Sequence, residues 1–144
     1  MTEPVFVDSN VLVYAFDDAD PAKQRAAQSW RTALWKARLG RLSFQVLSEF
    51  YVSALRIRKS AAADVRDEIR DLLAWRPVLI DATLVETGWA IQDRYKLSYW
   101  DALIVAAARV ASCRYLLSED LQAGQDFDGV NVVNPFLTDP ADLN

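Results

Sequence analysis

The sequence predicts an α/β fold with a central, mainly parallel sheet of four or five short strands and helices on both faces. Short apolar runs rich in β-preferring residues alternate with longer segments whose apolar residues recur at helical spacing. The chain has 144 residues, enough for one domain, which we expect to span residues 1–144. In sheets of this kind, ligands bind at the carboxyl ends of the strands.

Apolar runs that are too short for helices predict the strands. A loop from Gly124 to Gly129 precedes the last of them, and the tail from Asn134 to Asn144 shows no periodicity. The predicted strands cover residues 5–7, 42–44, 78–80, 115–117 and 130–133.

The segments between the strands predict helices, several of which have recognisable ends. Asp20 before Pro21, Ser60 and Asp81 are predicted N-caps, and Gly40 is predicted to end the second helix. The last helix is the most apolar and should be largely buried. The predicted helices cover residues 10–16, 21–39, 45–59, 61–75, 84–95 and 102–111.

The composition restricts the chemistry that the chain can perform. It contains no histidine, which excludes Ser/His and Cys/His nucleophile pairs, an imidazole base and a His-ligated zinc. The one cysteine, Cys113, has apolar neighbours and is expected to be a buried hydrophobic residue without a disulfide. For a hydrolase, a hard metal ion bound by carboxylates remains as the source of reactivity.

Two further features concern location and partners. No apolar run reaches the roughly 20 residues of a membrane span, and residues 1–4 lack the character of a signal peptide, so we expect a cytoplasmic protein. The net charge is -4, but residues 21–60 alone carry +8. This basic segment is either a site for a phosphate backbone or an ordinary solvated helix surface.

Four acidic residues are candidates for a metal site, and each has a structural alternative. Asp8 ends the first strand and is equally suited to cap the helix that follows. Asp101 completes a pattern with Ser98 that resembles a capping box. Glu49 lies off the apolar face of its helix and is equally suited to face water. Asp120 follows a strand and is also suited to a turn.

Taken in order, these four acids resemble the signature of the PIN-domain ribonucleases, and the similarity extends into the residues around each acid. The ending at residues 132–136 is also similar to bacterial members of the VapC toxin group. Two positions depart from the family pattern: Ser118 stands where threonine is common, and Ala123 stands where some members have a further acid. The matching segments are residues 5–12, 45–50, 99–104 and 116–121.

The resemblance implies a PIN-like three-layer α/β/α sandwich and a metal-dependent endoribonuclease. Asp8, Asp101 and Asp120 would bind one or two Mg or Mn ions directly or through water, and Glu49 would complete the metal site or orient the attacking water. The side chains expected to support these acids or to bind the phosphate are Ser9, Asn10 and Ser118, with Glu119 or Asp126 as further contributors to a second metal.

The resemblance also implies an RNA substrate, single-stranded or looped, and a partner protein. Arg56, Arg58 and Lys59 follow Glu49 and are expected to contact the RNA backbone. Trp100 is expected to be a buried core aromatic residue, with stacking on a base as the alternative. A cognate antitoxin and a homodimer are further expectations from the family. The competing interpretation is a catalytically weak PIN-fold module that binds RNA or protein.

Overall fold

The computed structural model describes residues 1–143 and has the predicted alternation of strands and helices. The strands are β1 (Val5–Val7), β2 (Gly40–Arg41), β3 (Tyr115–Leu117), β4 (Asp126–Phe127) and β5 (Val130–Val133). The helices are α1 (Ser9–Phe16), α2 (Pro21–Ala37), α3 (Phe44–Ile57), α4 (Ala62–Leu72), α5 (Ala82–Tyr95) and α6 (Tyr99–Val110). Short 3-10 helices lie at Lys59–Ala61, Leu73–Trp75 and Pro140–Asp142.

The five strands form one sheet in the order β2-β1-β3-β5-β4, which confirms the predicted α/β class. All neighbouring pairs are parallel except β4 and β5. Every residue of β1 is buried, as expected for a strand covered by helices on both faces. Because β1 and β3 are paired in register, the residues that follow them meet at the same edge of the sheet.

Several predicted helix starts are confirmed by their hydrogen bonds. Asp20 and Asp81 accept bonds from backbone N–H groups of the helices they precede. Ser60 is not an N-cap, because it lies inside a 3-10 helix that has no side-chain cap. Gly40 does not end α2 but begins β2, and a Cβ atom there would lie 2.6 Å from the Trp75 ring, so this glycine permits a close approach.

The strand predictions were wrong at three places. The strand predicted at residues 42–44 lies earlier in the chain, as β2 at Gly40–Arg41. Residue 44 is not in a strand, because it already starts α3. Of residues 78–80, only Val78 forms a bridge, to Ser43, while Leu79 and Ile80 are 61% and 51% exposed. Strand β4 was not predicted, because a two-residue edge strand that contains a charged residue has no periodic signal.

The tail is packed onto the helices although its sequence has no periodicity. The Trp30 indole N–H donates to the carbonyls of Pro135 and Thr138 at 3.2 and 3.1 Å, and Leu143 is buried. Cys113 is buried as predicted, and burial raises the pKa of its thiol to about 12. Asn144 lies outside the described residues. Within residues 1–143, no helix has both the length and the apolar content to cross a membrane.

Candidate active site

The site is built where β1 and β3 end side by side. Asp8 follows β1 and Ser118 follows β3, and the Ser118 Oγ donates a 2.8 Å hydrogen bond to Asp8 Oδ2. The Asp8 backbone N–H donates to the Leu117 carbonyl at 3.0 Å, which continues the strand pairing to this point. Asp8 is only 7% exposed and Ser118 is fully buried. The parallel register therefore places a carboxylate and a hydroxyl in contact at the carboxyl edge of the sheet.

Asn10 joins the two strand ends. Its Nδ2 lies 3.2 Å from Asp8 Oδ2, from Ser118 Oγ and from Asp120 Oδ2. Its Oδ1 accepts a 3.2 Å hydrogen bond from the Glu119 backbone N–H. One amide group thus holds Asp8 and Asp120 near each other, although 112 positions separate them in the sequence.

Asp8 has both of the roles that the sequence allows. Its Oδ1 accepts a 2.7 Å hydrogen bond from the Ser9 backbone N–H, so it caps α1. Burial raises the pKa of its carboxyl group to about 6, and the charges of Asp120 and Asp101 add to the rise. The hydrogen bonds from Ser118 and Ser9 oppose this rise in pKa without cancelling it. A cap at a helix start does not need such burial, so the position is costly for a purely structural aspartate.

Glu49 faces the same acidic region from α3. It is an exposed residue, yet neighbouring protein atoms desolvate its carboxyl group and raise the pKa to about 7. The charge of Asp8 and, less strongly, the charges of Asp101 and Asp120 contribute to this raised pKa. Glu49 is therefore not a free surface glutamate. It lines a cleft of about 400 Å³ together with Ser9, Ser48, Val52, Ser53 and Arg56.

Asp101 lies in the first turn of α6, where Ser98 caps the helix. The Ser98 Oγ accepts a 3.2 Å hydrogen bond from the Asp101 backbone N–H, so the cap does not require the Asp101 carboxylate. The neighbouring Trp100 is 60% exposed, and the expectation that it is a core residue was wrong. Its carbonyl accepts a 3.2 Å bond from Gln45 Nε2, which ties the start of α6 to α3. Trp100 and Glu49 line one apolar cleft of about 450 Å³.

Two acids considered for a second metal are engaged elsewhere. The Glu119 carboxylate forms an ion pair with Lys23, although the residue lines the same cleft as Asp120. The Asp126 Oδ1 accepts a 2.6 Å hydrogen bond from the Gly129 backbone N–H in the turn between β4 and β5. The structure therefore distinguishes Asp120, which is bonded to Asn10, from both of them.

The three predicted RNA-contacting residues separate in the structure. Arg56 lines the cleft that contains Glu49. Arg58 turns towards the end of α1, where its guanidinium lies 4.9 Å from the centre of the Phe16 ring. Lys59 is exposed in the following 3-10 helix. Only Arg56 lies beside one of the four acids.

The residues present suit a hard divalent cation. None of Asp8, Glu49, Asp101 and Asp120 takes part in an ion pair within residues 1–143, so their negative charge is not neutralised there. No three acidic or cysteine side chains of that part of the chain form a ready-made metal group. Magnesium commonly uses only one or two carboxylates, with waters and substrate phosphates as its other ligands. The oxygen donors at this edge of the sheet fit that pattern.

The fold and the cleft define an α/β protein with an acidic site at the carboxyl edge of a mainly parallel sheet. A family model described as the PIN domain matches residues 5–125, which is most of the chain. The chain belongs to the PIN domain family, as the order of its four acids had indicated. A comparison with curated proteins finds no match.

Three solved structures have the same fold. A toxin–antitoxin complex from Klebsiella pneumoniae contains a chain with a TM-score of 0.65 and 21% identity, and the match covers 91% of this chain and 97% of that one. Mycobacterium tuberculosis VapC20 is described as a sarcin–ricin loop cleaving toxin. It matches with a TM-score of 0.62 and 23% identity, and the match covers 78% of this chain and 86% of that one. A chain of Rickettsia felis VapBC2, bound to a promoter DNA fragment, matches with a TM-score of 0.62 and 12% identity. This match covers 90% of this chain and 97% of that one.

The raised pKa of Asp8 links the stability of the metal-free protein to pH. Between pH 3.8 and about 6, the folded state holds a proton that the unfolded chain has released, so the free energy of unfolding decreases as pH rises. Replacing Asp8→Asn removes this titration. In EDTA at pH 7 it should stabilise the protein by roughly 1–3 kcal/mol, measured by urea denaturation.

The matched control is Asp93→Asn, the same chemical change at an exposed position of α5 outside the site. It should leave the pH profile unchanged. An Asp8→Asn profile that runs parallel to the wild-type profile between pH 4 and 7 would contradict the assignment.

Proposed function

We propose that this protein is a metal-dependent endoribonuclease that hydrolyses phosphodiester bonds of single-stranded or looped RNA, as the toxin of a toxin–antitoxin system. The observation that carries the proposal is the proximity of Asp8 to three other acids, Glu49, Asp101 and Asp120, none of which forms an ion pair within residues 1–143, in a PIN-domain chain without histidine. The description of the Mycobacterium tuberculosis neighbour as a toxin that cleaves the sarcin–ricin loop supports RNA as the substrate.

In this proposal the acids divide the work of holding a cation and a water molecule. Asp8, Asp101 and Asp120 are the metal ligands, directly or through water, and Glu49 completes the site or orients the attacking water. A bound Mg²⁺ or Mn²⁺ would lower the pKa of that water and stabilise the charge that develops on the phosphate. The raised pKa of Glu49 suits it to accept a proton from the water near neutral pH.

The polar residues around Asp8 fix its orientation. Ser118 and Asn10 donate to its Oδ2, and the Ser9 N–H donates to its Oδ1. These bonds leave the carboxylate in one position, which is what a ligand of a small octahedral cation requires. Ser9 also lines the cleft beside Glu49, where its hydroxyl is placed to bind a substrate phosphate.

The number of metal ions depends on Glu119 and Asp126. Because Glu119 is paired with Lys23 and Asp126 with a turn N–H, one ion per chain is the arrangement that the contacts favour. A second ion would require Glu119 to leave Lys23, and an incoming phosphate is a partner that Lys23 could take instead.

The RNA is proposed to enter along α3. Arg56 lies beside Glu49 in the cleft and is the best placed of the three basic residues to bind the phosphate that is cut. Arg58 and Lys59 follow it and extend the positive charge towards the end of α1. The exposed Trp100 ring at the apolar cleft beside Glu49 offers a surface for a flanking base. With RNA as the substrate, the activity is proposed to lie in the cytoplasm.

The partners are proposed to be an antitoxin and a second copy of the chain. Two of the neighbours are described as complexes of toxin and antitoxin, or of VapB and VapC proteins. The uncompensated acids favour an inhibitor that places a basic side chain where the metal would bind. The exposed apolar side chains that line the cleft with Glu49, Phe44, Ile80 and Trp100, favour a covering surface such as a second chain.

RNA cleavage should require both a divalent cation and the acidic site. With Mg²⁺ or Mn²⁺ the wild type should cut a cellular RNA pool at defined positions that carry a 5′-phosphate, and EDTA should abolish this. Asp8→Asn and Asp101→Asn should lower the rate by more than about 100-fold, because each removes a charged metal ligand. Sequencing of the RNA ends over time measures the cleavage positions and the cleavage rate for the wild type and for each variant.

The control is again Asp93→Asn, which should cut at the wild-type rate. Equal cutting by the wild type and by both site variants would identify a contaminating nuclease. In that case the alternative, a PIN fold retained for binding RNA or protein, would replace the proposed activity.

The two partner assignments can be tested in one purification. Expression of the wild type should arrest growth, and co-expression with the product of the neighbouring gene should restore growth and yield a complex. Light scattering should give the isolated chain a mass of about twice 16.2 kDa. Failure of co-expression to suppress toxicity would exclude that gene product as the antitoxin, and a monomer mass would exclude the dimer.

A further inference from the structure

A second charged cavity lies at the other end of the sheet from the acids. It has a volume of about 320 Å³ and opens at the amino-terminal end of β2, whereas Asp8 and Ser118 follow the carboxyl ends of β1 and β3. We call it the arginine pocket. Its lining residues are Trp35, Arg38, Arg41, Ala74, Trp75 and Arg76.

The arginine pocket has positive charge without matching acids. Arg38, Arg41 and Arg76 form no ion pair with any side chain of residues 1–143. The Arg41 guanidinium is held in place by hydrogen bonds to the carbonyls of Arg38 and Gly40, at 3.2 and 2.8 Å. Three guanidinium groups around one cavity favour an anion with several oxygen acceptors, such as a phosphate.

Two indole rings form the apolar part of the pocket. Trp75 is buried against the backbone of Gly40, and Trp35 lies beside it with 42% of its surface exposed. Their ring centres are 6.4 Å apart. Arg31 lies 4.7 Å from the centre of the Trp35 ring and is itself bonded to Glu68, so Trp35 packs against an ion pair. An exposed ring among guanidinium groups is suited to a planar base next to its phosphate.

The backbone at two of the pocket's arginines also allows a local role as helix ends. Arg38 and Arg76 have φ values of 59° and 55°, in the left-handed region where glycine is the favoured residue. An arginine at the end of a helix also interacts favourably with the terminal carbonyl groups, and this is the competing explanation. Lys96 has the same conformation, with φ 58°, at the end of α5 and outside the pocket. It therefore provides a control for that explanation.

We propose that the arginine pocket is a second binding site for single-stranded RNA, in which the guanidinium groups bind phosphates and Trp35 stacks on a base. This extends the RNA contacts from the acidic cleft to the opposite end of the strands. The inference rests on the proposed function for the identity of the ligand as RNA. It predicts that RNA affinity has a component that needs neither the metal nor the four acids.

The test uses glycine at the left-handed positions, because glycine removes the charge while favouring the backbone conformation that the fold requires. Binding of a 20-nucleotide single-stranded RNA is measured by fluorescence anisotropy in EDTA, where nothing is cut and the uncompensated acids repel the strand. Arg38→Gly and Arg76→Gly should each lower the affinity roughly threefold to tenfold and reduce the slope of log affinity against log salt by about 0.7. Lys96→Gly should change neither quantity.

Three other results would overturn this inference. RNA affinity and salt slope equal to those of Lys96→Gly would show that the two arginines only stabilise helix ends. Variants that bind AMP more weakly but bind RNA normally would identify a site for a free nucleotide. Displacement of the RNA by a glutamate-rich peptide at lower concentrations than by unlabelled RNA would identify a protein ligand.

The outcome is independent of the catalytic test. If the wild type cuts RNA with Mg²⁺ but the glycine variants bind as the wild type does, the pocket assignment fails and the proposed function stands. If the wild type fails to cut any RNA while the glycine variants lose affinity, the proposed activity fails and the pocket remains an RNA site.

Discussion

The feature on which the rest of the site depends is the burial of the Asp8 carboxylate near other acids, where no side chain of residues 1–143 forms an ion pair with it. Burial, with smaller contributions from the charges of Asp120 and Asp101, raises the pKa of Asp8 to about 6. The hydrogen bonds from Ser118 and Ser9 recover only part of this cost. Lys23 is paired with Glu119, which lines the adjoining cleft, and not with any of the four acids. A domain of this size has little stability to spare, so the arrangement is best explained by a function that needs it.

The remainder of the fold supplies the geometry for that arrangement. Parallel pairing of β1 with β3 brings Asp8 and Ser118 into contact, and Asn10 links both strands to Asp120. Helices α3 and α6 add Glu49 and Asp101 from two other directions, and the bond from Gln45 to the Trp100 carbonyl ties these two helices together. Each acid therefore comes from a different element. The site forms only when the whole sheet and both helices are in place.

The sequence singled out four candidate acids, whose roles stay a prediction, and it placed the short strands less well. Asp8 and Asp120 follow strands, whereas Glu49 lies on a helix and Asp101 in the first turn of another, and this order of acids resembled a known family. Trp100 was misjudged because exposure of an aromatic residue depends on what packs across from it, which no local pattern records. The arginine pocket was not foreseen, since Arg38 and Arg76 end separate helices and meet only through the packing of Trp75 on Gly40.

We propose that the acidic site binds a divalent cation, and calorimetric titration of the protein with Mn²⁺ tests this directly. Because the pKa values of Asp8 and Glu49 are about 6 and about 7, binding near pH 6.5 must displace protons from them. The binding enthalpy should then differ between buffers with different ionisation enthalpies, and the difference should vanish towards pH 8.5. Absence of binding, or binding that releases no protons at any pH, would contradict a cation site formed by these carboxylates.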